Sequence, residues 1–197
     1  MVSPTELVHA AEADFPTEYG HFRIHGFLAG DEELVAIVMG DIVTDKRPLL
    51  LRIHSQCLTG DVFHSLRCDC REQLELAVES IAREGRGMLI YEPKEGRGIG
   101  LVNKLRAYEL QDQGHDTVEA NVALGFDPDL RDYEWPGRIL QHFGVTQVRL
   151  MSNNPKKIEA MENTGIEVVE RVPIVAQPRE TREDYLRTKK EKMGHLI

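Results

Sequence analysis

Apolar positions along this chain fall into short runs, some continuous and some spaced at helical intervals, and the two kinds alternate. Residues 20–29 and 34–42 read as strands, the second apolar through its middle. The run LLLRIHS is a further strand that delivers Arg52 and His54 to its end. Leu74, Ala77, Val78 and Ile81 recur at i, i+3, i+4 and i+7, which predicts an amphipathic helix over 72–83 ended by Gly85 and Gly87. MLIYE follows as a buried-type strand, PKEGRGIG as a loop, and Leu101 to Gln113 as a helix with Leu101, Leu105, Ala107 and Tyr108 near one side. QVRLMSNN predicts a strand and PKKIEAMENTG a helix with Pro155 in its first turn. EVVERVPIV is another strand, and residues 181–193 are a charged terminal helix. There is no repeat and no long Pro/Gly/Ser linker. The alternation therefore predicts one α/β domain over 1–197, a single mixed sheet with flanking helices and a β-rich N-terminal third, led by a flexible stretch at residues 1–14.

Composition narrows the class. At 197 residues, 41% hydrophobic and 29% charged, the chain can bury a core without help from disulfides. No segment approaches the roughly 20 apolar residues of a membrane-spanning helix. The start, MVSPTELVHAAEADFP, has acids where a signal peptide has a basic and then an apolar region. Free thiols without such a signal imply a reducing, cytoplasmic setting and no membrane partner. A formal charge of −9 argues against general nucleic-acid binding. A phosphorylated substrate requires the basic residues to gather locally.

The three cysteines, Cys57, Cys68 and Cys70, sit together in CLTGDVFHSLRCDC. Converging thiolates make a soft, negative pocket that suits Zn²⁺, whereas the bland reading is three unconnected buried thiols. Structural zinc sites close the tetrahedron with a fourth protein ligand, while catalytic ones leave it to water. His54 and His64 are near enough in sequence to close it, although neither has zinc-finger spacing; the favoured form is open.

Elsewhere the residues leave alternatives. Glu95-Gly96-Arg97-Gly98-Ile99-Gly100 lies between a strand and a helix, where glycines let backbone approach a phosphate or merely form a tight turn. Its spacing is not the dinucleotide fingerprint. Lys94, Arg97, Lys104 and Arg106 supply positive charge around it, with Lys104 or Arg106 expected on a solvated helix face. Ser152-Asn153-Asn154-Pro155 is an anion-type turn or ordinary helix capping. Asp129 and Arg131 form a surface ion pair, or a base beside a phosphate-directed cation.

Taken together, RIHSQCLTGDVFHSLRCDC, EGRGIGLVNKLRAYELQDQGHDTVEAN, LGFDPDLRDY, SNNPKKIEAMENTGIEVVERVPI and KMGHL resemble the GTP cyclohydrolase II family of riboflavin biosynthesis, in a stand-alone form. The resemblance implies hydrolytic opening of the guanine imidazole ring of GTP with release of formate and pyrophosphate, giving 2,5-diamino-6-(5-phosphoribosylamino)pyrimidin-4(3H)-one. Two other readings stay open, a relative acting on a different nucleotide or giving a different product, and a non-catalytic nucleotide-binding protein with structural zinc.

The resemblance also implies roles. Cys57, Cys68 and Cys70 match the ligands of one Zn²⁺ per chain, Tyr108 a residue of the ring-opening step, and Asp129 the proton acceptor. Arg131 matches the residue assigned as nucleophile at phosphorus, although a guanidinium that stays protonated suits charge stabilisation better. Arg52, Ile53, His54, Ser55, Gln56, Gln73, Glu95, Gly96, Arg97, Thr117, Ser152 and Lys157 match GTP-binding positions. Glu95 would accept from the guanine amino and ring N–H groups, and Arg97, Arg52 and Lys157 suit the triphosphate. Mg²⁺ is implied with the phosphates and a homodimer as the assembly. Arg71 stands where the family usually has glycine and is expected to face solvent; Ser152 stands where threonine is usual.

Overall fold

The continuous apolar run in LLLRIHS needs apolar partners on both sides, and it has them. A computed structural model describes residues 6–177, 183–194 and 196. It places that run as β4 (Leu49–Ser55) inside a seven-stranded sheet with β1 (Leu7–Thr17), β2 (Gly20–Ala29), β3 (Glu32–Met39), β5 (Gly87–Glu92), β6 (Gln147–Met151) and β7 (Glu167–Val172). The spatial order is β1-β2-β3-β5-β4-β6-β7. β1, β2, β3 and β5 pair antiparallel, and β5, β4, β6 and β7 run parallel, so the sheet is mixed.

The helices are α1 (Leu58–Asp61), α2 (Cys70–Glu84), α3 (Leu101–Asp112), α4 (Thr117–Ala123), α5 (Glu134–His142), α6 (Pro155–Asn163) and α7 (Glu183–Met193), with a 3₁₀ turn at Glu95–Gly98. Strand alternation divides the core between the two faces. Leu49, Leu51 and Ile53 pack with Ile139 and Leu140 of α5 and Met161 of α6. Leu50 packs on the other face with Ala77, Val78 and Ile81 of α2. Helices thus cover opposite faces on either side of β4, and the carboxyl ends of β4, β5 and β6 open on one edge. Ligands of open α/β sheets bind at such an edge.

Each expected strand and helix occurs, with ends shifted by up to three residues: β3 begins at Glu32 and stops at Met39 where 34–42 was expected, and α2 extends past 72–83 at both ends; of the terminal helix, residues 181 and 182 lie outside the described residues. Three features differ. The flexible lead-in is, over residues 7–14, part of β1, paired along its length with β2 through a bulge between His9 and Ala11. α5 was not predicted, although Trp135, Ile139, Leu140 and Phe143 recur at helical spacing; Pro136 and Gly137 sit near its start. Pro136 falls in the first turn, where a missing N–H costs nothing, and Gly137 packs where a Cβ would overlap Thr164. α4 was not predicted, although its capping box, Asp116 with Glu119, is a legible start signal.

Candidate active site

The turn after β4 builds a thiol cradle. Cys57 precedes α1, Cys68 lies in the loop beyond it, and Cys70 opens α2. Their sulfurs all lie within 4.8 Å of one another, with Cys57 and Cys68 3.7 Å apart. Gly60 forms the floor: a Cβ there would stand 2.9 Å from Cys68 Sγ and 3.1 Å from Cys57 Sγ. Asp61, which the sequence reading missed, holds the cradle from behind. Its Oδ2 accepts from the Cys57 N–H at 3.0 Å and the Tyr91 hydroxyl at 2.9 Å, and both its oxygens lie 3.1 Å from His54 Nε2.

Neither histidine closes the cluster. His54 is turned to Asp61, and burial pushes its pKa down. His64 accepts from Arg71 Nη1 at 2.6 Å. Arg71 is more than a solvent-facing side chain, since it also donates to the Asp61 carbonyl at 3.0 Å and pairs with Glu75 at 2.7 Å. It braces the loop. Hydrogen bonds from Cys68 and Cys70 hold the Cys57 thiol far below its ordinary pKa, while Cys68 is pushed up to about 11 and Cys70 also upward. Three soft donors with room left by a glycine fit a thiophilic divalent metal ion, whose binding displaces the remaining thiol protons.

Lys104 faces this charge. Its Nζ lies 3.1 Å from Cys57 Sγ, 2.9 Å from Thr59 Oγ1 and 2.7 Å from Glu95 Oε1. Burial works against its charge, but Cys57 and Glu95 outweigh burial and raise its pKa. Arg106 is the exposed member of the pair. Tyr108, on the same helix, bonds Thr59 Oγ1 through its hydroxyl at 3.2 Å beneath the Arg67 guanidinium.

The glycine loop is a left-handed turn, with Gly96 at φ 61° and Arg97 at φ 64°. Glu95 is buried there and already engaged. Oε2 accepts from the Leu58 N–H at 2.7 Å, and Oε1 from the Gly96 N–H at 3.0 Å and from Lys104. This carboxylate ties the glycine loop to the thiol loop. Arg97 has a buried Nη2 with no partner.

Cations gather at the strand ends. Arg52 donates to the Met151 carbonyl at 2.9 Å and Gln73 Oε1 at 2.7 Å; burial lowers its pKa to about 10, and its Nε has no partner. Gln73 donates to Asp69, which also receives Lys189 of α7 at 2.7 Å, so the terminal helix is anchored between two of the cysteines. Lys157 donates to the Ile53 carbonyl at 2.7 Å and lies 3.5 Å from Ser55 Oγ; burial and Arg52 push its pKa well down. Arg131 is gripped by both oxygens of Asp129 at 2.8 Å, which holds the carboxyl below its usual range against burial and raises the guanidinium. Glu92, also missed by the sequence reading, is fully buried and accepts from Ser55 Oγ at 2.6 Å; burial raises its pKa. Ser152 Oγ accepts from the Asn154 N–H at 3.1 Å, and Asn154 caps α6, so this turn does serve as a helix cap.

The three cysteines share one cleft with Arg52, His54, Ser55, Gln56, Gln73, Glu95, Gly96, Arg97, Tyr108, Thr117, Arg131, Ser152 and Lys157. Two of the expected residues do not line it. Ile53 is in the core and contributes only its carbonyl, and Asp129 stands behind Arg131 with its side chain 2% exposed.

The family model described as GTP cyclohydrolase II matches residues 8–173. "GTP cyclohydrolase-2" of Histophilus somni is 57% identical over 100% of this chain and 90% of that protein. "GTP cyclohydrolase-2" of Haemophilus influenzae is 55% identical over 95% of this chain and 88% of that protein. "Riboflavin biosynthesis protein RibBA" of Chlorobium phaeovibrioides is 54% identical over 95% of this chain and 46% of that protein. The chain thus spans about half the length of the RibBA relatives it matches and most of the GTP cyclohydrolase-2 ones.

Proposed function

The chain belongs to the GTP cyclohydrolase II family, and from that we propose that it hydrolyses GTP, opening the guanine imidazole ring and releasing formate and pyrophosphate to leave a diaminopyrimidinone nucleotide for riboflavin biosynthesis. The observation that carries this is the juxtaposition, in one cleft, of a three-thiol cradle and a set of buried cations at the strand ends. A base-directed centre and a phosphate-directed centre are what the two hydrolyses require.

Cys57, Cys68 and Cys70 would hold Zn²⁺. Bound in that cradle, the ion would supply Lewis acidity, the property that lets a water act as nucleophile near neutral pH. The protein's own groups do the rest. Tyr108 and Thr59 form a hydroxyl pair at the mouth of the cradle, suited to orienting that water and passing a proton. Lys104 keeps its charge beside Cys57 and Glu95 and orders both loops. On the phosphate side, Arg131 remains protonated, so its role is to neutralise charge that develops on the phosphoryl oxygens, with Asp129 setting its fork. Arg97 offers a free N–H, Arg52 adds positive potential, and Lys157, whose charge is disfavoured by burial and Arg52, would gain it beside a bound phosphate. Mg²⁺ would accompany the triphosphate, since few carboxylates of the cleft are free to hold it and phosphate oxygens suit it. The assembly is a homodimer acting on a small molecule in the cytoplasm, with Ile53 placing Lys157 through its carbonyl.

The experiment is product analysis. Purified protein with GTP and Mg²⁺ should release formate and pyrophosphate in equal amounts while a pyrimidine absorbance appears. Pyrophosphate without formate would remove the ring-opening activity.

A further inference from the structure

A second group of ligand-type side chains lies far from the cleft. β1 is an edge strand, and β3 and β5 separate β2 from β4. On these outer strands His9, Glu12 and His25 bring a ring nitrogen, a carboxylate oxygen and a ring nitrogen within 4.8 Å of one another. Residues three apart on a strand ordinarily face opposite sides. The bulge between His9 and Ala11 changes this. His9 pairs with Phe27 while Glu12 pairs with His25, so both β1 side chains share the face of Phe27 and His25.

From this geometry we propose that His9, Glu12 and His25 form a binding site for a divalent transition-metal ion of the zinc class, separate from the three-cysteine cradle. His9 Nε2 and His25 Nδ1 point at each other at 3.2 Å, and Glu12 Oε2 lies 3.5 Å from His25 Nδ1. Two donors on one tetrahedral ion at about 2.0–2.1 Å stand about 3.3 Å apart, so little movement is needed to admit the ion. Two imidazoles and one carboxylate select zinc, nickel or copper over Mg²⁺ and Ca²⁺, which take all-oxygen sets. The surroundings are suitably dry on one side. His25 is 6% exposed, and the rings of Phe27 and Phe143 lie 4.9 Å from His9 and 5.1 Å from His25 respectively. The His142 ring, at the end of α5, stands 5.1 Å from His9 and is a further imidazole within reach. Arg23 occupies the other oxygen of Glu12 at 2.7 Å, leaving Oε2 for the ion.

The test titrates Zn²⁺ into the full chain, purified with its cysteine site loaded, in the presence of excess Mg²⁺. Wild type should take up about one further equivalent, and His9→Gln and His25→Ala should weaken that uptake at least about tenfold while keeping the metal held by cysteine. Equal uptake by wild type and both variants would overturn the site. Should His25→Ala fail to fold, the wild-type histidine ring resonances decide. Those of His9 and His25 must move on Zn²⁺ addition, and unmoved signals would mean that the two rings only share a hydrogen bond. Neither readout depends on GTP hydrolysis, so the result stands apart from the proposed activity.

Discussion

Gly60, Asp61 and Glu95 show how single residues make the cleft. Cys68→Ser should lose most of the bound zinc and, with it, formate release; full metal retention measured by elemental analysis would take Cys68 out of the ligand set. Asp61→Ala leaves the Cys57 N–H, His54 and Tyr91 without their common acceptor, so zinc affinity should fall about 10–100-fold in a competition titration with a chelator. Because Glu95 already accepts from Leu58, Gly96 and Lys104, Glu95→Gln should reduce turnover of GTP and of inosine triphosphate by the same factor. A loss confined to GTP would instead mean that Glu95 reads the guanine amino group. Asp129 carries a pH signature. Its folded pKa is depressed, so its contribution to stability is present above the unfolded value of about 3.9 and disappears as the pH falls through the folded value. Asp129→Asn should therefore flatten the acid limb of stability against pH below about 4, as followed by denaturant unfolding; an unchanged limb would contradict the pairing with Arg131.

Elements place these residues, and most were legible. β4 and β5 announce themselves as continuous apolar runs because both faces are covered, and α2 shows one apolar stripe because only one of its faces packs. Cysteine spacing pointed to the cradle because the three thiols fall within one short stretch, from the start of α1 to the start of α2. What stayed hidden depends on distant contacts. Nothing local marks Asp61 as the partner of Tyr91, or Lys189 as the partner of Asp69, since these meet only when the sheet and α7 assemble. The bond from the Leu58 N–H to Glu95 was hidden for the same reason, since Leu58 opens α1 far off in sequence. β1 escaped notice because its bulge breaks the alternation, and α5 because its proline and glycine are tolerated only in this position and packing. The left-handed turn at Gly96 gives an element-scale prediction. Gly96→Ala costs roughly 1–2 kcal/mol of backbone strain, and its Cβ would meet Lys104 Cβ at 3.1 Å. Both stability and GTP turnover should fall, whereas turnover at the wild-type level would show that the loop does not position Lys104.

At the scale of the whole molecule, the chain carries a net charge of −9, while arginines and lysines line the cleft at the carboxyl edge of the parallel strands, beside the thiol cradle. No helix among the described residues is long and apolar enough to cross a membrane. On the proposed function, metal in the cradle would be required for opening the guanine ring, whereas the phosphate side would be served by Arg131 and its neighbours. The direct measurement follows formate and pyrophosphate together from GTP and Mg²⁺, using protein stripped of zinc and the same protein after zinc is restored. Stripping should abolish formate release and leave some pyrophosphate release, and zinc should restore formate. Formate release at the normal rate from zinc-free protein would contradict this role for the metal.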